Sequence, residues 1–311
     1  MKKMLMLLAG AVFALPAFAQ SPEEWEALEK DVNFYLANDL GRNGYYDQKT
    51  IAETMGVMAE TLSVECVLAA GDVHHFEGVR SVDDPLWMTN YELIYKHPEL
   101  MIPWYAILGN HEYRSNPQAV IDYSKVSARW NMPSRYYVKM IEDNGVTVCV
   151  LMIDTAPLID KYRRDAEDYP DAGKQDMEKE LAWIDSVLDT VDADWTLVVG
   201  HHPIYAQTDK NESERTDMQQ RVDKILREHD NVDMYLCGHI HNFQHIRVKG
   251  SDIDYVVNSS ASLARDVEPI EGTQFCSSET GFSVIAADKD ELCLHMMDKN
   301  GKVLYTVKRS K

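Results

Sequence analysis

The stretch that decides the fold is Met234-Tyr235-Leu236-Cys237-Gly238-His239-Ile240-His241, an apolar run that ends in two histidines. An earlier stretch, Trp104-Tyr105-Ala106-Ile107-Leu108-Gly109-Asn110-His111-Glu112, has the same plan. In each, a short strand-like run leads to a glycine that permits a tight turn, and polar side chains follow the turn. The Gly-His-x-His order puts two imidazoles on the same face of an extended segment. This pattern indicates metal ligands at the ends of strands.

The same plan recurs along the chain. Apolar runs at residues 34–37, 66–69 and 196–199 lead to Asp39, Gly71-Asp72 and Gly200-His201, and the run 146–153 reaches Asp154. Segments with helical periodicity, residues 49–62, 177–188 and 218–229, lie between these runs. The alternation predicts an α/β fold with a largely parallel sheet, whose carboxyl strand ends carry the site. The extended runs after residue 255 predict antiparallel strands in a second sheet, with a hairpin turn at residues 298–301.

Seven side chains at these strand ends are candidate metal ligands. They are two carboxylates, four imidazoles and one amide: Asp39, Asp72, His75, Asn110, His201, His239 and His241. With one bridging carboxylate, this is the donor set that two neighbouring first-row metal ions require. His111 needs no place in that set and is left free to face a substrate. The sequence therefore predicts a dinuclear metallophosphatase.

The charge balance limits the partners. The chain has 31 basic and 51 acidic residues, a formal net charge of −20. This acidity argues against nucleic acid or an anionic membrane surface as the main partner. It is compatible with a phosphate ester, because two divalent ions bring positive charge to the site. We expect a small-molecule substrate and a monomeric protein.

The N-terminus has the features of a bacterial signal peptide. Lys2 and Lys3 precede an apolar run that ends at the small-residue cleavage site Ala17-Phe18-Ala19. The run is too short to span a membrane. We therefore expect a signal peptide at residues 1–19, one metallophosphoesterase domain at residues 20–311, and a periplasmic or secreted protein. Among the five cysteines, only Cys276 and Cys293 are a possible disulfide pair.

With these motifs in order, the chain resembles the calcineurin-like metallophosphoesterases, and within them the purple, tartrate-resistant acid phosphatases. Residues 102–105 and 123–131 extend the likeness beyond the ligand motifs. The resemblance implies a four-layer α/β/β/α sandwich with the metals at one edge of the two sheets. It assigns Asp39, Asp72, His75 and His241 to the first metal, with Asp72 bridging. It assigns Asn110, His201 and His239 to the second.

Two departures from the family pattern bear on the chemistry. His75, with His74 as a rival, stands where the family has the tyrosine that binds Fe(III). The sequence therefore predicts Fe, Mn or Zn ions without an Fe(III)–tyrosinate centre, because imidazole stabilises Fe(III) less than phenolate does. Lys210 stands where mammalian-type members have a second histidine. The resemblance therefore gives transition-state stabilisation to His111 but leaves the general acid unassigned.

Three functions remain open from the sequence. The first is hydrolysis of phosphate monoesters by a metal-bound hydroxide, and the alternative is a phosphodiesterase acting on nucleotide or lipid head-group diesters. The third is a phosphate-binding or adhesion protein with a decayed site. The loops beside the metals are expected to set specificity, with aromatic rings for an aromatic ester and arginines for extra phosphate charge: Tyr162, Tyr169, Tyr205, Arg114 and Arg163.

Overall fold

A computed structural model describes residues 21–210 and 212–311 of the protein. The expected signal peptide lies outside these residues. Numbered in chain order, the helices are α1 (Pro22–Glu26), α2 (Gln48–Ala59), α3 (Pro117–Asp122), α4 (Asp160–Arg164), α5 (Met177–Thr190), α6 (Glu212–Met218) and α7 (Lys224–Leu226). None of the helices in this part of the chain combines the length and the apolar character needed to cross a bilayer.

Fourteen strands are described. They are β1 (Val32–Ala37), β2 (Val67–Ala69), β3 (Trp104–Ala106), β4 (Trp130–Asn131), β5 (Tyr137–Asp143), β6 (Val146–Met152), β7 (Trp195–Val199), β8 (Met234–Cys237), β9 (Phe243–Arg247), β10 (Asp254–Val257), β11 (Thr273–Ser277), β12 (Gly281–Ala287), β13 (Glu291–Asp298) and β14 (Val303–Ser310). They form two seven-stranded sheets, in the orders β14-β13-β12-β1-β2-β3-β4 and β11-β9-β10-β8-β7-β6-β5.

Each sheet is mixed: the parallel strands form one half of the first sheet and the centre of the second, and antiparallel strands complete each sheet. Strands β1 to β4 are parallel neighbours in the first sheet, and β6, β7, β8 and β10 are parallel neighbours in the second. Every residue of β1, β7, β8 and β12 is buried, which is the pattern of strands covered on both faces. The α/β class of fold predicted from the sequence is confirmed.

The position of the C-terminal strands differs from the prediction of a separate second sheet. Strand β12 pairs antiparallel with the free edge of β1, from Val32↔Ala287 to Leu36↔Ser283, and β13 and β14 continue outward from it. The last three strands therefore extend the first sheet. The strands predicted to form one parallel sheet are instead divided between the two sheets, because β6 to β8 form the centre of the second sheet. Hydrophobic periodicity reports that a strand is buried but not which neighbour it pairs with.

Buried asparagines join the two sheets at the edge where the parallel strands end. Asn38 follows β1 and forms a bridge to Ser260, while Asn258 follows β10 in the other sheet. The Asn258 side chain donates to Asn38 Oδ1 at 2.5 Å, and Ser283 Oγ donates to Asn258 Oδ1 at 2.7 Å. Because all three residues are buried, these bonds fix the relative position of the strand ends. Both sheets thus present their carboxyl strand ends to one region.

Candidate metal centre

The candidate ligands lie at these carboxyl strand ends and come from both sheets. Asp39, Asp72 and Asn110 follow β1, β2 and β3, whereas His201 follows β7, and His239 and His241 follow β8. Four of them have left-handed backbones, with φ of 51° at Asp39, 52° at Asp72, 72° at His239 and 61° at His241. Such conformations are unfavourable for residues other than glycine and concentrate at functional sites.

One cluster contains Asp39, His75 and His241, whose ligand atoms all lie within 4.8 Å of one another. His241 Nε2 is 2.9 Å from Asp39 Oδ1, and His75 Nε2 is 3.9 Å from the same oxygen. The other ring nitrogen of each histidine contacts a backbone carbonyl. His75 Nδ1 is 3.2 Å from the carbonyl of Gly41, and His241 Nδ1 is 3.1 Å from the carbonyl of Leu263. An Nδ1–H that donates to a carbonyl leaves the Nε2 lone pair free for a metal ion.

Asp72 lies between this cluster and a second one. Its Oδ2 atom is 3.5 Å from His75 Nε2 on one side and 3.1 Å from His201 Nε2 on the other. Its Oδ1 atom accepts a hydrogen bond from the His111 backbone N–H at 2.9 Å, which fixes the carboxylate plane. A single carboxylate oxygen therefore faces both clusters, as a bridging ligand would.

The second cluster contains His201 and His239, whose ligand atoms lie within 4.8 Å of each other. His201 Nδ1 is 2.9 Å from the carbonyl of Ala70, so its Nε2 is directed at Asp72. The ring of His239 lies 5.1 Å from that of His201, centroid to centroid. His239 Nε2 is 3.0 Å from Glu214 Oε2 and also 3.0 Å from Lys210 Nζ. The carboxylate favours the tautomer with the proton on Nε2 and the lone pair at Nδ1, whereas the ammonium favours the other.

The unpartnered polar atoms of this region test whether metal ions fit the site. Four buried atoms with no hydrogen-bond partner belong to the candidate ligands: Asp39 Oδ1, His75 Nε2, Asn110 Oδ1 and His201 Nε2. An unsatisfied buried polar atom costs about 1–3 kcal/mol. All four have a lone pair to offer, and carboxylate, imidazole and amide donors suit first-row divalent ions. The residues present therefore fit a metal centre.

The pKa shifts show how burial and neighbouring charges compete in the site. Burial disfavours the Asp39 carboxylate, but the neighbouring His241 and His201 outweigh it and lower the pKa of Asp39. Burial likewise disfavours protonation of His201, but the Asp72 carboxylate outweighs it and raises the pKa of His201 to about 9. Burial lowers the pKa of His75 to about 4, so that this imidazole is neutral at neutral pH. A divalent ion on the His201 lone pair takes the place of the proton that Asp72 attracts.

Glu112 organises the loops that carry the ligands. Its carboxylate accepts backbone N–H bonds from Asp72 at 2.9 Å, Gly109 at 2.8 Å and His74 at 3.1 Å. Burial, followed by the charge of Asp72, raises the pKa of Glu112 to about 7. Gly109 is required by this close packing, because a Cβ atom there would lie 2.2 Å from Asp72 Oδ1. Glu112 therefore acts on backbone positions and not on substrate.

His111 lies at the open side of the centre. Its Nδ1 is 2.5 Å from the carbonyl of Phe76, and its Nε2 is 3.8 Å from Asp72 Oδ2. The side chain is 16% exposed, whereas those of the seven candidate ligands that face it are buried. Its Nε2 is also close enough to Asp72 and His75 for a shared ion. The geometry thus permits contact with a substrate and leaves a ligand role open.

Two charged groups lie against His239: Lys210, which the sequence singles out, and Glu214, which it does not. Lys210 Nζ is within 3.2 Å of both ring nitrogens of His239 and donates to its carbonyl at 2.9 Å. Glu214, on the other side, pairs with Lys161 Nζ at 2.6 Å. Nothing in the spacing distinguishes Glu214 from the exposed acids around it, because only the packing of α6 turns it inward.

His202 is a further residue whose position the sequence left open. It is fully buried, its Nδ1 is 2.8 Å from Thr155 Oγ1, and its Nε2 has no hydrogen-bond partner. Its ring lies 4.4 Å from the ring of His239, and the ligand atoms of His201, His202 and His239 lie within 4.8 Å of one another. His202 thus faces the second cluster.

The side chains expected to contact substrate are mostly occupied elsewhere. Tyr162 and Tyr169 are buried and pack edge to face at 4.8 Å. Tyr205 donates to Asp223 Oδ2 at 2.7 Å. Arg163 donates to two backbone carbonyls, and Arg114 to the hydroxyl of Tyr169. Tyr169, Tyr205 and Arg163 are thus held by protein contacts, whereas the Tyr162 hydroxyl and the Arg114 Nε–H have no hydrogen-bond partner among the described residues. That these residues bind the ester stays a prediction.

The structure separates His75 from its rival His74, and it does not form the possible Cys276–Cys293 disulfide. His74 is buried against Trp87 with ring centroids 4.4 Å apart, and its Nδ1 contacts Asn90. It therefore lies behind the centre. The disulfide between Cys276 and Cys293 is absent, and all five cysteines are free. The two residues lie on β11 and β13, which belong to different sheets.

Comparison with known proteins agrees with this geometry. The profile of the family described as "Calcineurin-like phosphoesterase" matches residues 32–243. Purple acid phosphatase 3 of Arabidopsis thaliana is 29% identical over 293 residues, covering 90% of this chain and 78% of that protein. Tartrate-resistant acid phosphatase type 5 of Sus scrofa is 31% identical over 272 residues, covering 83% of this chain and 79% of that protein.

Solved structures share the fold at lower identity. The Plasmodium protein described as GAP50, the anchor in the inner membrane complex, superposes with a TM-score of 0.75 at 22% identity, covering 90% of this chain and 88% of that one. A dimetal phosphatase from Danio rerio superposes with a TM-score of 0.59 at 12% identity, covering 91% and 99%. The predicted likeness to purple acid phosphatases, and with it a phosphoric monoester hydrolase, is confirmed at the level of the family. The chain belongs to the calcineurin-like phosphoesterase family.

Proposed function

We propose that the protein is an exported dinuclear-metal phosphatase that hydrolyses small phosphate monoesters. The observation that carries this proposal is the position of Asp72 Oδ2, which lies between His75 Nε2 and His201 Nε2, two buried atoms with no hydrogen-bond partner. A lone metal-binding histidine cluster would not need an oxygen shared in this way. The names of the acid phosphatase relatives support the same reaction.

Asp39, Asp72, His75 and His241 would hold one metal ion. Asp72 would bridge to the other, which Asn110, His201 and His239 would complete. When bound, such a pair supplies an activated water and positive charge for the phosphoryl oxygens. Because His75 offers a neutral imidazole where a phenolate would favour Fe(III), we expect Fe(II), Mn(II) or Zn(II) at the first position.

The remaining chemistry falls to side chains that hold no metal in this proposal. His111 donates its Nδ1 proton to the Phe76 carbonyl, so its Nε2 carries a proton only in the imidazolium form. In that form it can donate to the phosphoryl group or to the leaving oxygen. Lys210, whose ammonium lies against His239, adds positive charge that offsets the charge of a bound phosphate.

The test compares p-nitrophenyl phosphate with bis-p-nitrophenyl phosphate, using metal-stripped protein as the control. We expect faster turnover of the monoester, two metals per chain, and loss of activity on stripping. Faster turnover of the diester would mean a phosphodiesterase. Two bound metals with no turnover of either ester would favour a phosphate-binding protein. Export is tested separately, by N-terminal sequencing of the protein recovered outside the cytoplasm, where a start near Gln20 is expected.

A further inference from the structure

His202 is a buried histidine beside the candidate centre that has no place in the proposed ligand set. It directly follows the candidate ligand His201, and its side chain is fully buried. Its ring lies 4.4 Å from the ring of His239 and 5.0 Å from that of His201, measured between centroids. One of its nitrogens lies within 4.8 Å of a ligand atom of each of these two histidines. His202 is therefore an immediate neighbour of the second cluster.

Both the backbone and the ring of His202 are held by protein contacts. The Tyr235 hydroxyl donates to the His202 carbonyl at 2.7 Å. Gly200 makes room for this contact, because a Cβ atom there would lie 2.4 Å from the Tyr235 hydroxyl. The ring of Tyr162 packs against the imidazole with centroids 4.9 Å apart, on a residue that is itself buried. The direction of the two ring nitrogens is therefore set by the fold.

Thr155 determines which nitrogen of His202 carries the proton. Its hydroxyl oxygen accepts the backbone N–H of His201 at 3.3 Å and that of His202 at 3.2 Å. The same oxygen lies 2.8 Å from Nδ1 of the His202 ring. A hydroxyl has two acceptor lone pairs and one proton, so an oxygen that has accepted twice must donate in its third contact. Nδ1 is then the acceptor, and the neutral ring carries its proton on Nε2.

The Nε2–H group of His202 is a donor without an acceptor among the described residues. Buried polar groups are nearly always hydrogen-bonded, so an unpaired buried donor points to a ligand that accepts from it. Because Nδ1 is bound by Thr155, Nε2 is the nitrogen free to meet a ligand beside His201 and His239. A metal ion requires a lone pair, which a protonated nitrogen cannot offer, whereas an anionic oxygen accepts from an N–H.

We propose that His202 is a catalytic residue whose neutral Nε2–H donates to a phosphoryl oxygen held at the second cluster. The ligand is a tetrahedral oxyanion, either the phosphoryl group of the ester or inorganic phosphate, the product. A neutral donor keeps its proton as the oxygen gains charge, so it stabilises that charge without transferring a proton. This distinguishes His202 from His111, which donates from Nε2 only as an imidazolium. The inference rests on the proposed function for the place of the phosphoryl group.

The test measures the binding of inorganic phosphate to the metal-loaded protein by calorimetry, with the metals per chain determined by elemental analysis. His202→Phe keeps a flat ring but has no donor. It should keep both metals and bind phosphate about 10- to 100-fold more weakly, the range for a hydrogen bond to a charged group. His202→Gln should recover most of this loss, because its amide offers an N–H close to the place of Nε2. Unchanged phosphate affinity in His202→Phe would overturn the proposal, and so would loss of a metal, which would make His202 a ligand.

His295→Phe is the matched control. His295 is also buried, and its Nδ1 lies 2.8 Å from the hydroxyl of Thr306, but it lies on β13, which no candidate ligand follows. The variant should leave phosphate affinity unchanged. An equal loss of affinity in this variant would overturn the proposal, because general loosening of the fold and not the missing donor would then weaken phosphate.

A second measurement needs no variant. Proton–nitrogen correlation spectra of the zinc-loaded protein distinguish the two neutral tautomers of a histidine, because protonated and unprotonated ring nitrogens have different chemical shifts. We expect the proton of His202 on Nε2 and a shift of the Nε2–H signal when phosphate is added. A proton on Nδ1, or a signal that saturating phosphate does not move, would overturn the proposal. Absence of ester turnover would contradict the proposed function alone, since phosphate binding and the tautomer are measured without turnover.

Discussion

Replacement of Glu214 by glutamine isolates the contribution of one carboxylate to one metal position. Glu214 Oε2 is 3.0 Å from His239 Nε2, and Lys161 Nζ is 2.6 Å from its other oxygen. The carboxylate favours the His239 tautomer whose lone pair is at Nδ1, and it increases the basicity of the ring. Glutamine has the same shape but no charge, and its amide cannot accept from both Lys161 and His239.

The expected loss is 10- to 100-fold in affinity for a single metal, the range for a carboxylate that supports a ligating histidine. At about 1.4 kcal/mol for each factor of ten, this is about 1.4–2.8 kcal/mol. Only the second metal should be affected, because His239 belongs to one cluster. Saturating metal should restore most of the turnover, since the reacting groups are unchanged.

The assay is competition between the protein and a fluorescent chelator, with the metals per chain measured by elemental analysis. Glu212→Gln is the matched control, because Glu212 lies on the same helix but is exposed. Unchanged affinity in Glu214→Gln would refute the reasoning. Equal weakening of both metals would also refute it, since a general loss of packing and not the His239 tautomer would then be responsible.

Three further results are expected. By elemental analysis, Asp72→Ala should lose both metals, and His75→Ala should lose one preferentially. The purified protein should show no visible charge-transfer band. Two metals retained by the Asp72 variant would exclude a bridging role. His111→Ala should keep both metals while kcat falls roughly 100-fold, the scale for one charge-stabilising donor; loss of metal would instead identify His111 as a ligand. Burial raises the pKa of the Asp154 carboxyl to about 7. The folded state therefore keeps a proton that the unfolded state releases from about pH 4 upward, and the free energy of unfolding falls as the pH rises to about 7. Asp154→Asn should flatten this fall in denaturant titrations by about 1 kcal/mol or more, and an unchanged slope would place the titration on another group such as Glu180.

The positions that the sequence predicted best are those where one local pattern determines the geometry. An apolar run, a glycine and then Asn110 or His239 constitute a strand, a turn and a donor, and each step depends on adjacent residues. The carboxyl ends of parallel strands meet at one edge whichever strands are neighbours. The periodicity could not indicate that the strands divide into two sheets. The candidate ligands are nevertheless predicted to lie together, because they follow strands whose carboxyl ends meet at one edge.

The residues that escaped prediction depend on packing between segments distant in sequence. Glu214 reaches His239 only because α6 lies against the end of β8. The sequence predicts Tyr162 to be a loop aromatic, but it lies in helix α4 and is fully buried. Thr155 and His202 are 47 positions apart and carry no shared motif, so their contact is a property of the folded chain alone.

The asparagine contacts between the sheets have a consequence for the order of folding. Asp39, Asp72 and Asn110 come from the first sheet, and the histidines at 201, 239 and 241 from the second. A chain that has formed only one sheet holds an incomplete donor set, so tight metal capture waits until Asn38 and Asn258 have met. Bound ions would then hold the two sheets together. The melting temperature should rise with metal concentration, because an ion that binds only the folded state stabilises it. In the proposed centre, tight metal binding therefore follows the joining of the two sheets.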